Sequence, residues 1–150
     1  MWTKCKSLKL SVVLVKMVFF TLILSVFLIP AGVKWFDLVS SRSDLFIPIC
    51  ISLYIALIPA FIIIAALDRL LSNIRKEQIF IDQNVTILRV ISWCCFAVSI
   101  DFIIFMVFGF RFPVYFFLSF AAAFFGLILR VLKNVFEQAV ALQIENDFTI

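Results

Sequence analysis

The chain has 150 residues, 65% of them hydrophobic and only 15% charged, with 20 phenylalanines and a mean hydropathy of +1.22. A soluble domain carries about 45–50% apolar and about 25% charged residues, so this composition excludes a soluble globular fold and points to a lipid bilayer as the surrounding medium. The lack of any His excludes His-based acid–base catalysis and His-ligated zinc, and a net charge of +4 scattered over segment ends lacks the concentrated basic face of direct nucleic-acid binding.

A bilayer core about 30 Å thick takes about 20 helical residues, and four segments reach that length. The first span covers about 10–29, follows Lys4, Lys6 and Lys9, holds Lys16, and is expected to close at Pro30-Ala31-Gly32. Its long apolar run, with no secreted domain after it, reads as an uncleaved span rather than a signal peptide. The second span, about 45–67, carries no charge and contains Pro48 and Pro59. Pro59 removes the donor for the Ile55 carbonyl, so a kink is expected there.

The loop 68–89, DRLLSNIRKEQIFIDQNVTILR, is the longest polar stretch. Leu67, Leu70, Leu71 and Ile74 keep helical spacing, so the second helix is expected to continue beyond the membrane until KEQIF breaks the period. Asp82 is placed to cap the next helix. The third span, about 90–110, is interrupted only by Asp101. A turn centred on Arg111 leads into the fourth span, about 112–129, making an antiparallel hairpin. In the tail, 130–150, Leu132, Val135, Phe136, Ala139, Val140 and Leu142 continue a helical stripe opposite Lys133, Glu137 and Gln138. The fourth helix is thus expected to project by several turns and to end near QIENDFTI, where Asn146 and Asp147 are poor helix formers and Phe148-Thr149-Ile150 is strand-like.

The fold class is therefore an all-α membrane protein of four transmembrane helices in a single domain, the second and fourth extended into the cytoplasm. Lys and Arg set this orientation. Lys9, Arg69, Arg75, Lys76, Arg89, Arg130 and Lys133 join Lys4 and Lys6 on one side, leaving Lys34, Arg42 and Arg111 on the other. Both termini and the 68–89 loop are assigned to the cytoplasm. Cys5, Cys50, Cys94 and Cys95 form no C-x-x-C pair and read as buried thiols, and neither a metal nor another cofactor is expected.

Asp101 asks for a partner, because an ionised carboxylate at mid-bilayer costs on the order of 2.5–3.5 kcal/mol on insertion scales. By helical rise, Asp101, Tyr54, Thr21 and Ser119 all lie roughly 15 Å below the far surface, and Lys16 lies roughly 7 Å from that level. The choices are a neutral, hydrogen-bonded Asp101 that pins helix packing, an ion pair with Lys16, or a proton- or cation-handling group. Ala122 and Gly126 form a small-x-x-x-small pair suited to a helix of this chain or of a second subunit in a homo-oligomer.

The stretch LIPAFIIIAALDRLLSNIRKEQIF followed by Asn84 and Leu88, together with the ending ALQIENDFTI, resembles an uncharacterised family of small bacterial four-span membrane proteins, described only as a domain of unknown function. Two departures stand out: Ile81 follows Phe80 where that family more often has a small hydroxyl residue, and Asp101 is not a signature of it. Such proteins are often encoded beside a helix-turn-helix regulator of the Cro/CI type. The resemblance implies a bacterial inner-membrane location and a soluble regulator as partner. It moves the expected partner-binding residues to Phe80, Asn84, Leu88, Glu145, Asn146, Asp147, Phe148 and Thr149. The non-enzymatic regulatory membrane protein so implied stands against a small proton-coupled transporter using Asp101. A membrane enzyme is the weakest choice, with no Ser/His/Asp set and only three glycines.

Overall fold

Backbone amides in lipid have no water to bond, so long apolar segments close their hydrogen bonds within themselves as helices. The computed structural model describes residues 4–40, 46–108 and 113–149. It contains α1 (Lys4–Ser40), α2 (Phe46–Arg75), α3 (Asp82–Val107) and α4 (Pro113–Phe148), each long and apolar enough to cross a membrane. The expectations placed on Arg42, Leu45, Phe110, Arg111, Phe112 and Ile150 lie outside the described residues.

The helices alternate in direction. On the α1–α2 seam Phe19 meets Phe61, Val26 meets Tyr54 and Val33 packs with Ile49. On the α2–α3 seam Ser52 meets Asp101 and Asn73 meets Asn84. On α3–α4, the most extensive seam, Ser92 meets Gly126, Ser99 meets Ser119 and Phe102 meets Tyr115. Rising numbers against falling ones mark every seam as antiparallel. Among the described residues each helix approaches, backbone to backbone, only its neighbours in sequence. All four nevertheless line one apolar space of about 680 Å³, with Ile29 of α1, Leu57 of α2, Ile91 of α3 and Phe125 of α4 on its walls.

Three expectations about helix ends need correction. Pro30 does not close α1, which runs on to Ser40. Proline has no N–H, so the carbonyl four residues earlier, that of Val26, lacks its helical donor. Tyr54 of α2 donates its hydroxyl to that carbonyl at 3.0 Å, and the helix passes through. Tyr54→Phe is therefore expected to lower stability in mild detergent by about 0.6 kcal/mol, the average for interhelical hydrogen bonds in membranes, and by no more than about 1.7 kcal/mol. A denaturant midpoint unchanged by the substitution would refute this role.

Asp82 is not the cap of α3. Ile81 holds that position in extended backbone without a side-chain cap bond, and Asp82 is the first helical residue. There its carboxylate favours the positive end of the helix dipole instead. At the other terminus Asn146 and Asp147 stay helical and α4 reaches Phe148. Thr149 closes this end, its amide donating to Asn146 O and its hydroxyl to Glu145 O. The extensions of α2 and α4 occur as expected, and α2 remains helical through Pro59.

Candidate functional site

Within the membrane-spanning region the one carboxylate of α3 is engaged. Ser52 Oγ donates to Asp101 Oδ2 at 3.0 Å across the α2–α3 seam, and Ser52 is 1% exposed. None of the three hydroxyls expected there reaches Asp101. Tyr54 serves Val26, Thr21 bonds back to Met17 O on an exposed face of α1, and Ser119 donates to Ser99 O while its oxygen pairs with the Ser99 hydroxyl. Depth along a helix axis ranks these groups alike, but each residue turns the side chain by about 100°. Tyr54 therefore points to α1 where Ser52 points to α3.

Lys16 is also misplaced as a buried partner. It is exposed and lines a cavity of about 360 Å³ on the α1–α2 seam with Asp68. Among the described residues it forms no ion pair with Asp101, and α1 does not approach α3 backbone to backbone. Asp101 itself opens onto a groove of about 440 Å³ whose other walls, including Ile58, Pro59, Trp93 and Ala97, are apolar.

Beyond the membrane level, the end of α2, the connecting loop, the start of α3 and the extension of α4 build a second packed unit. Its buried residues are Asn73, Asn84, Val85, Ile87, Leu88 and Val140. The α2 terminus turns with Glu77 at φ 61°, bonded Gln78 N–H to Asn73 O and Glu77 N–H to Ile74 O. This arrangement satisfies the last carbonyls of a helix, with Glu in the left-handed position where Gly is usual. Asn84 then fixes the loop from the other side. Its amide nitrogen donates to Gln78 O at 2.9 Å and Ile79 O at 2.7 Å, and its oxygen accepts from Asn73 Nδ2 at 2.8 Å. With the amide oxygen of Gln83 facing Arg69, that oxygen accepts from Nη2 at 2.9 Å and Nε at 3.3 Å.

Asn84 is 0% exposed and Leu88 5%, so neither can offer its side chain to a partner, contrary to the expectation from the sequence. They hold the loop that presents Phe80. The Phe80 ring packs on Phe136 of α4 with centroids 5.8 Å apart and still leaves 46% of the residue exposed. Beside it the ammonium of Lys133, hydrogen-bonded to Glu137, holds the Glu137 carboxyl below its ordinary value of 4.5, and Arg89 adds a smaller pull in the same direction. The loop and the α4 extension thus form one connected surface.

A family described as a protein of unknown function (DUF2975) matches residues 36–150. The chain belongs to the DUF2975 family. The matched stretch takes in all of α2, α3 and α4 and omits nearly all of α1. The Ser52–Asp101 bond, the Asn84 clamp, the Phe80–Phe136 contact and the tail all lie within the DUF2975 region. No curated protein and no solved structure matches the chain.

In this DUF2975 chain the tail residues Glu145, Asn146, Asp147, Phe148 and Thr149 are all exposed, Phe148 at 87%. They lie on the last turn of α4 and just after it. The residues that sequence reasoning misses are Ser52, Asn73 and the two serines of the α3–α4 seam, Ser92 and Ser99. Ser52 carries a signal, as the polar residue nearest Tyr54 in an otherwise apolar span; Asn73 carries one only as a buried partner for Asn84. Among the described residues no three His, Cys, Asp or Glu side chains gather where a metal could be held.

Proposed function

We propose that this DUF2975 protein is a non-enzymatic regulatory protein of the bacterial inner membrane, with both termini cytoplasmic. On this reading it holds a soluble helix-turn-helix regulator through the 76–81 loop and the end of α4. The observation that carries the reading is the unpartnered outer face of the α4 extension. Val131, Val135 and Leu142 on that face are 62%, 55% and 66% exposed. With Gln138, Glu145 and Thr149 they recur at spacings of four and three residues, so one face of the extension mixes exposed apolar and polar side chains. From Arg130 to Phe148 the extension is roughly 28 Å long, enough to offer a small regulator a helical rail, and Phe80 stands at its side.

The apolar walls around Asp101 support this reading over proton-coupled transport, because a transport path needs a succession of polar groups. On this reading Asp101, which accepts from Ser52 at one oxygen, serves as a packing pin. The test is retention of the regulator encoded nearest the gene on tagged full-length protein in mild detergent. Truncation after Ile144 and Phe80→Ala are each expected to weaken retention about tenfold, as loss of a central contact does. Asp101→Asn is expected to leave it unchanged. Failure of the full-length protein to retain the regulator overturns the proposal.

A further inference from the structure

The α3–α4 seam carries a charged cavity on the side away from the large apolar space. It measures about 190 Å³ and is lined by Arg89, Ser92, Trp93, Arg130, Lys133 and Asn134. Three cations converge on it against a single carboxylate, Glu137, which binds Lys133 and lies 4.0 Å from Arg89. Arg130 is stacked over the Trp93 ring at 5.5 Å. The Lys133 side chain is only 16% exposed, so its ammonium is held at the seam rather than free in solvent. Ser92 is already donating to Gly126 O, and Lys133 spends two of its three N–H donors on Glu137 and on Asn134 Oδ1, which leaves the Arg89 and Arg130 guanidiniums, the Asn134 amide nitrogen and the third Lys133 donor to meet a ligand.

The cavity's height defines what it can meet. Arg89 stands just before the third apolar span, and Arg130 and Lys133 just after the fourth. Trp93 is one turn deeper, at the level where Trp rings settle at a membrane interface. Trp93 also lines the groove of about 440 Å³ between α2 and α3, whose walls beside Ile58, Pro59, Ile62 and Ala97 are apolar down to Asp101. A cationic pocket at headgroup height therefore adjoins, through one indole, a greasy channel leading toward mid-bilayer. Guanidinium forks match phosphate oxygens in geometry as well as charge, and basic pockets between membrane helices suit anionic headgroups.

We infer that the Arg89–Arg130–Lys133 cavity is a site for the phosphate of an anionic phospholipid, with one acyl chain lying along the α2–α3 groove below Trp93. Free inorganic phosphate shares the headgroup chemistry but has no use for the groove. The site is independent of any protein partner.

The full chain with Trp2→Phe and Trp35→Phe keeps Trp93 as its one indole, since the sequence has three Trp. It is placed in nanodiscs of phosphatidylcholine containing a minority of phosphatidylglycerol, with brominated acyl chains on one lipid at a time. Brominated phosphatidylglycerol is expected to quench Trp93 more than an equal mole fraction of brominated phosphatidylcholine. Arg89→Gln and Lys133→Gln are each expected to lower that preference by about fivefold, the effect of one cation at an anionic surface. Lys133→Arg should restore it, and Lys76→Gln, outside the cavity, should leave it intact. Equal quenching by the two lipids overturns the site. So does a preference that falls as much with Lys76→Gln as with Lys133→Gln, which would mean diffuse surface attraction. Loss of the preference in millimolar inorganic phosphate, but not in chloride of equal ionic strength, overturns the lipid in favour of the free anion.

Discussion

Asn84→Leu is expected to open the loop side of the protein while the four helices remain inserted. The wild-type side chain satisfies the Gln78 and Ile79 carbonyls and the Asn73 amide at a site with 0% exposure. Leu has similar bulk but removes all three bonds, leaving the buried Asn73 amide with only its longer bond to the Gln83 side-chain amide at 3.3 Å. A bond so lost costs about 0.5–1.5 kcal/mol, and more where the group stays buried, so the loop is expected to lose about 3 kcal/mol of local stability. Arg75 and Lys76 sit at the turn and report the change as trypsin sites. Cleavage there should accelerate by about two orders of magnitude or more, since each 1.4 kcal/mol of opening is about tenfold. Asn84→Asp keeps the acceptor for Asn73 but turns a carboxylate oxygen toward two carbonyl oxygens at a site with no exposure, and should open the loop at least as far as Asn84→Leu. Cleavage at the wild-type rate in Asn84→Leu would show that the loop is held by Phe80 on Phe136 instead.

Gly126→Leu is expected to force α3 and α4 apart. A Cβ at Gly126 would lie 3.3 Å from Cys95 Cβ and 3.3 Å from two ring carbons of Phe96. The ring can turn aside, but Cys95 Cβ is fixed to its backbone. Gly126→Ala should thus be nearly neutral, its better helix propensity offsetting the tight contact. A leucine side chain adds bulk with no space to take it, and overpacking of this kind costs about 1–3 kcal/mol, occasionally more. The same displacement lengthens the 2.8 Å bond from Ser92 to the Gly126 carbonyl and separates the Ser99 and Ser119 hydroxyls, now 3.0 Å apart. A Ser99→Cys/Ser119→Cys pair reads this directly. Oxidation should join the two thiols readily with Gly126 in place and several-fold less readily in the Gly126→Leu background. Equal cross-linking in both backgrounds would show that the seam absorbs the extra side chain.

The membrane architecture was legible because it depends on one variable, apolar length along the chain. Lipid enforces internal hydrogen bonding, so about twenty apolar residues mean a helix whatever their neighbours. What surrounds each helix was not legible in the same way. Tyr54 and Ser52 are two residues apart, yet one bonds Val26 on α1 and the other Asp101 on α3. Depth alone cannot divide those roles, which follow from α2 lying between α1 and α3. Pro30 misleads for a related reason: the missing amide is local, whereas the hydroxyl that compensates for it arrives from another helix. Asn84 and Leu88 read as a motif, but a pattern of letters does not say which members face a partner and which hold the motif in shape. Burial assigns the second role to both.

The sequential packing of the helices makes the protein a ribbon with two free edges rather than a closed barrel of helices. Ribbons curl, and the space of about 680 Å³ walled by all four helices is the inside of the curl. Since α1 and α4 make no backbone approach to each other among the described residues, its width is governed at the central fold line between α2 and α3. That line is latched at two heights, by Ser52 on Asp101 and by Asn73 on Asn84. The deep latch and the loop clamp are therefore two fasteners on one crease.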